Sequence, residues 1–183
     1  MTGISAVSKA GVAIAAALIT NPALAEEAPA PRFTYEIECL DADGNVKWRE
    51  VISNLVTTQG KNDILDTYFK GSGYTAAWFL GLKGAGSAAV GDTLASHAGW
   101  SEVNPYTGNR PAITFGTTSA GSNTANQVSF TITVAGPTTV AGAFVSSVNT
   151  GTSGKLYSVG DFAVSRSVTT NDVLNCTLTV TQS

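Results

Sequence analysis

Charge is the scarcest thing in this chain. Asp, Glu, Lys and Arg make up 13% of its 183 residues, against about 25% in an ordinary globular protein, so its polar surface has to be Ser, Thr, Asn and Gly. Few charges then need desolvating on contact with a neighbour. The ten cations are scattered and the net charge is −3. A nucleic-acid interface needs a Lys/Arg face that displaces counterions, and no block supplies one. One histidine and two cysteines do not complete a closed zinc site without carboxylate help. The apolar run AGVAIAAALI at 10–19 falls well short of the ~20 residues that span a bilayer as a helix. The Gly-rich segment 84–91 lacks the Lys-Ser/Thr end of a phosphate-binding loop. Ser153, in Gly-Thr-Ser-Gly-Lys, is a loop serine rather than a nucleophile elbow. No His/Glu/Asp cluster, redox motif or cofactor fingerprint recurs. The expectation is a protein that is not an enzyme, with no catalytic, cofactor-binding or metal-ligating residues.

What is present is β-structure. FTYEIEC (33–39) and VKWREVI (46–52) flank the strong turn Asp41-Ala-Asp-Gly44-Asn45 and read as a hairpin. Further β segments follow at 112–118, 126–134, 139–147, 155–162 and 172–180, separated by turn residues such as Gly136-Pro137 and Asn171-Asp172. In the second of these, Val128, Phe130, Ile132 and Val134 alternate with polar residues, as in a strand with one buried face. About eight short strands at this spacing predict a mainly β fold, an antiparallel β-sandwich of Ig-like or jelly-roll-like outline, over residues 32–183.

One short amphipathic helix is expected at 61–70 (KNDILDTYFK). Ile64, Leu65, Tyr68 and Phe69 form a single stripe, which should pack across a sheet or plug one end of the sandwich. Thr57, Thr58 or Asn62 is placed to cap it, Asp63 to sit in its first turn, and Gly71 to stop it. AAWFLGL (76–82) then reads as a buried strand. Residues 83–96 read as a loop, and 97–111 as an ordered loop carrying Trp100, Tyr106 and Arg110.

Residues 1–31 differ in character. Lys9, the short apolar run, Ala23-Leu-Ala25 and then Glu26-Glu27 match a secretory signal peptide. The alternative is an extended N-terminal arm that docks on a partner through Val7, Val12, Ile14, Leu18 and Ile19, with EEAPAPR (26–32) as a Pro-rich spacer.

Single residues that could carry chemistry have plainer roles. His97, the sole histidine, is expected to bond a loop backbone beside Trp100. Asp41, Asp43 and Asn45 echo a calcium loop, but Glu50 comes too early to close it, and a turn is expected. Asn175-Cys-Thr177 is a formal glycosylation sequon inside a strand. Trp48, Trp78 and Trp100 are spread as core anchors, and Cys39 and Cys176 fall on apolar strand faces as buried free thiols.

Four blocks occur in fixed order: N-L-V-x-T-x-G-K-N-D-x-L-D at 54–66, D-T-x-A-S-H-A-G-W at 92–100, G-N-R-P at 108–111 and G-x-L-Y-S at 154–158. In these blocks the chain resembles, over about residues 36–183, a family of small structural proteins of tailed bacteriophages. The resemblance implies a virion component and transfers no catalytic residue. It favours the arm over the signal peptide. Its first expectation is a capsid decoration or cement protein, made in the host cytoplasm and placed on the capsid surface. Such a protein binds the major capsid protein or other virion proteins, without nucleic acid or a membrane span, and a homotrimer is one assembly this role allows. The second is a tail or fibre component touching the host through Trp100, Tyr106 and Arg110. Apart from the resemblance, the signal-like segment leaves a reading of a different class open, an exported β-sandwich adhesin, periplasmic or extracellular, with residues 1–25 cleaved, which an oxidised Cys39–Cys176 pair would support.

Overall fold

The structure is a computed structural model that describes residues 31–74 and 76–182. The arm residues Val7, Val12, Ile14, Leu18 and Ile19 lie outside the described residues.

Strands β1 (Arg32–Leu40) and β2 (Val46–Ser53) form the expected hairpin. Its turn is fixed by the Asp41 carboxylate, which accepts from the backbone N–H of Asp43 at 3.0 Å and of Asn45 at 2.8 Å. In β1, Phe33, Tyr35, Ile37 and Cys39 are all buried, while the residues between them face outward. The last strand, β10 (Val173–Thr181), pairs antiparallel with β1 along its whole length, setting Tyr35 opposite Leu178 and Ile37 opposite Cys176. On the far side of β10 lie two short collinear strands, β6 (Ser122–Thr124) and β7 (Val128–Thr131). These five strands make the first sheet.

The chain crosses to the second sheet at Asn54 through β3 (Leu55–Val56), which pairs with β9 (Leu156–Val168). The sheet continues through β8 (Thr138–Ser146), β4 (Phe79–Gly86) and β5 (Trp100–Val103), in the order β3-β9-β8-β4-β5. The two antiparallel sheets pack as a sandwich. Between them Tyr35 meets Ser158 of β9 through a hydroxyl–hydroxyl hydrogen bond, inside a core that includes Phe130, Ile132, Val145 and Leu174. The second sheet is also covered on its outer side. Phe144, Leu156 and Val159 are buried there beneath Leu94 and Trp100.

Several boundaries differ from the sequence expectations. β4 starts later than AAWFLGL and runs on through Lys83–Gly86, because pairing to β8 and β5 supplies hydrogen bonds that local composition does not announce. Residues 112–118 make only isolated bridges, Phe79 to Ala112 and Phe115 to Ala125. Val134 is 42% exposed, since the chain has left β7 by then.

The helix α1 (Thr58–Tyr68) starts one residue after Thr57, whose hydroxyl accepts from Gly60 N–H at 3.0 Å. Gly71, at φ +70°, turns the chain away, a conformation that costs a residue without Cβ little. Asp63 is past the first turn, and the orientation is the reverse of that expected. Tyr68 is 82% exposed, Phe69 78% and Leu65 55%, while Gly60 and Asp63 are buried. Polar bonds to β9 and the segment entering it explain this. Gln59 Oε1 accepts from Leu156 N–H at 2.7 Å, the Thr57 hydroxyl donates to Leu156 O, Tyr157 Oη–H donates to Asp63 Oδ2 at 2.7 Å, and Lys155 pairs with Asp63. Gly60 rests directly on Tyr157, where a Cβ would come 2.5 Å from the carbonyl oxygen. Buried polar groups need these partners more than an apolar stripe needs cover. Leu65, Tyr68 and Phe69 of the stripe therefore face out, while Ile64 is half-buried.

Candidate functional site: an apolar groove and the outer face of the helix

The side chains expected to contact a host surface from the 97–111 loop are buried. Trp100 is 6% exposed, Tyr106 8% and Arg110 5%. Trp100 donates its indole N–H to Asp92 Oδ2 at 2.9 Å, stacks on His97 and tilts against Phe144. Arg110 grips the Glu102 carboxylate with Nε at 2.8 Å and Nη2 at 2.6 Å, and donates to Val148 O and Gly151 O. Tyr106 packs on Phe130, and burial with the nearby Glu102 charge pushes its hydroxyl up to about 12. Bonds to Asp92, Glu102 and loop carbonyls, with ring packing on Phe144 and Phe130, hold these residues against the sheets. They are not a contact surface.

The other singled-out residues take the structural roles expected of them. His97 Nδ1 lies 3.0 Å from Trp100 O. Asp41 is occupied by its own turn, and the backbone N–H of Asn45 holds its carboxyl below the usual range. Asn175 accepts from Ser129 within the first sheet. Cys39 and Cys176 are both free and buried. The register sets Cys39 opposite Leu174 and Cys176 opposite Ile37, so they are diagonal neighbours. Such residues stand about 7–8 Å apart, whereas a disulfide needs Cβ atoms at roughly 3.5–4.5 Å. The pairing expected of an exported adhesin does not fit this register.

Two polar clusters could carry chemistry, and both are satisfied internally. Lys83 is fully buried beside Trp100, with Nζ 3.1 Å from Gly84 O and 3.0 Å from Asp161 Oδ1, and also bonded to Gly86 O. At the foot of α1, Tyr157, Asp63 and Lys155 line a cleft of about 360 Å³. Burial, with the hydrogen bond to Asp63, raises the Tyr157 hydroxyl well above its usual range, which keeps it a donor rather than a nucleophile. Among the described residues no group of three or more His, Cys, Asp or Glu could hold a metal ion, and no helix is long and apolar enough to cross a membrane.

A mostly apolar groove of about 640 Å³ is lined by Pro31, Ile64 of α1, Trp78, Ile113, Phe115 and Val180. Its floor is aromatic. The Trp78 ring stacks on Tyr157 with centroids 4.1 Å apart, meets Phe115 edge-on at 5.6 Å, and donates its N–H to Tyr74 Oη at 2.8 Å. One polar atom in the wall is unmatched. Asn123 spends its amide N–H groups on Gly116 O and Thr118 Oγ1, and its buried Oδ1 has no partner. Beside the groove stands the outward stripe of Leu65, Tyr68 and Phe69, the two rings packed edge to face at 5.0 Å.

The sequence signalled neither feature as a site. Trp78 looked like a core anchor and the stripe like core, and no periodicity separates an apolar face that is buried from one that is not. The only available sign was the opposite face of the same helix, where Gly60, Asp63 and Thr67 recur at helical spacing. No protein-family model matches the chain, and no curated protein is detectably similar to it in sequence.

Proposed function

We propose that this is a non-enzymatic bacteriophage virion structural protein, a capsid decoration or cement protein that binds the major capsid protein and stabilises the head. The observation that carries it is the outward stripe of α1, Leu65, Tyr68 and Phe69, next to an aromatic groove. A contiguous apolar face of this kind on a low-charge domain marks a protein–protein contact. Exposed aromatic rings are the side chains that anchor such contacts. The resemblance of the four ordered sequence blocks to tailed-phage structural proteins suggests the partner class.

The test is binding to undecorated heads built from the cognate major capsid protein. Tyr68→Ser/Phe69→Ser should weaken binding at least tenfold while leaving the circular dichroism spectrum unchanged. Affinity equal to that of the unaltered protein would sink the proposal. A tail or fibre role acting through Trp100, Tyr106 and Arg110 loses its support, because those side chains are buried.

A further inference from the structure

We infer that the groove and the outward stripe of α1 together form a two-fold contact with a second copy of this chain, the stripe of each copy seated in the groove of the other. This goes beyond the capsid-binding proposal. Away from heads the face is covered by a second copy, which a head has to displace.

The two features are parts of one surface. Ile64 lines the groove. Tyr68 stands one helical turn beyond it, at i+4 on the same side of α1, and Leu65 and Phe69 continue the exposed ridge. A ridge beside a groove of the same apolar and aromatic chemistry makes the face its own complement, which is what a two-fold contact requires. The groove, at about 640 Å³, has the size of sites that enclose a compact ligand, and two ring side chains suit it. The ridge is held firmly, because Asp63 on the far side of α1 from Leu65 is bonded to Tyr157 and paired with Lys155.

Area decides which assembly this face supports. Tyr68, Phe69 and Tyr74 are 82%, 78% and 50% exposed, which at about 200 Å² per aromatic side chain is roughly 400 Å². Leu65 and the groove walls bring the face to about 600 Å² per copy, or about 1,200 Å² for a pair, the lower end of the standard interface. A ring of copies joined stripe to groove would split the same face over contacts of about 600 Å² each, too small for a specific interface. The charges at the edge do not oppose closure. Asp66 and Lys70 pair with each other at 3.7 Å, and Lys61 can lay its stem along the ridge with its charge in water. So small an interface dissociates at micromolar concentrations or above. Dilute protein is then monomeric, and its folding stability does not depend on the contact.

The experiment is sedimentation equilibrium of the full chain without heads, from about 1 to 300 μM, the range in which such an interface fills. The mass should rise from that of the monomer to twice it. Two variants each damage one half of the contact. Tyr68→Ser/Phe69→Ser removes the ridge, and Ala76→Arg puts a long charged side chain at an exposed position of the groove lining. Each alone should weaken the association about tenfold or more, with the circular dichroism spectrum unchanged. Mixed in equal amounts they should associate more tightly than either alone. A mixed pair keeps one intact ridge in one intact groove and gathers both lesions in the other half. A monomer mass throughout, a limiting mass of three or more chains, an association indifferent to either variant, or a mixture no tighter than its components would each overturn the inference. Heads enter none of these readouts. Head binding without self-association would sink this inference alone, and self-association without head binding would sink the capsid proposal alone.

Discussion

Gly60 shows how much of this structure hangs on single atoms. The helix approaches β9 so closely that a Cβ at this position would meet Tyr157 O at 2.5 Å and Tyr157 Cα at 2.9 Å, both backbone atoms. Gly60→Ala, which on an exposed helix stabilises by reducing chain entropy, should here cost about 1–3 kcal/mol, as overpacking does, in urea titrations followed by tryptophan fluorescence. A gain in stability would mean that α1 does not sit on β9. The buried thiols give a second residue-scale expectation. Burial first, then the Asp172 charge, lifts Cys39 from 9.0 to about 11, and burial raises Cys176 too. The folded state thus holds its thiol protons where the unfolded chain has released them. The contribution of Cys39 is whole below pH 9 and fades as pH rises toward about 11. Stability should fall across that window, and Cys39→Ala should flatten the decline. Native protein should also resist thiol reagents at neutral pH, because neither sulfur is exposed.

At the scale of the element, α1 is the informative case. Its apolar stripe and its small-polar face are equally regular in sequence, and what chooses between them is a set of bonds to residues 94 to 99 positions away. Replacing Tyr68 and Phe69 together by Ser should therefore change folding stability by no more than about 0.5 kcal/mol, as for exposed positions. Were the stripe buried, each aromatic truncation would cost about 3–5 kcal/mol. Chemical denaturation separates these outcomes cleanly. The strands divide in the same way. β1 and the start of β10 were legible, because each buries one face and alternates with period two. The two faces of β8 are both covered, by the core and by the Leu94–Trp100 lid, so its composition says strand without saying which way it faces. The strand expected at 112–118 failed because β10 is already flanked by β6 and β7, leaving Phe115 only a bridge to Ala125.

For the whole molecule, the consequential pairing is that of the first strand with the last, Arg32 with Thr181 through Leu40 with Val173. Closing so long a loop is entropically slow, and sandwiches dominated by distant contacts fold in milliseconds to seconds. Stopped-flow refolding should show a main phase in that range. Deleting residues 173–183 should abolish folding, since it strips partners from β1, β6 and β7 at once. Deleting residues 1–30 should leave the folded circular dichroism spectrum intact, since β1 begins at Arg32. A soluble, cooperatively folded protein lacking β10 would contradict the sheet order. By itself the sequence determined the class of fold, the β1–β2 hairpin, the presence of one helix with Thr57 among three candidate caps, the inward thiols and the backbone role of His97. Each of these follows from spacing or local hydrogen bonding, which residues near in the chain decide among themselves. Only the tertiary structure decided which strands are neighbours, that Trp100, Tyr106 and Arg110 are buried, and that the stripe of α1 points outward beside an aromatic groove. Those depend on where distant residues such as Lys155, Tyr157 and Glu102 come to lie, and burial is a property of what arrives from elsewhere in the chain.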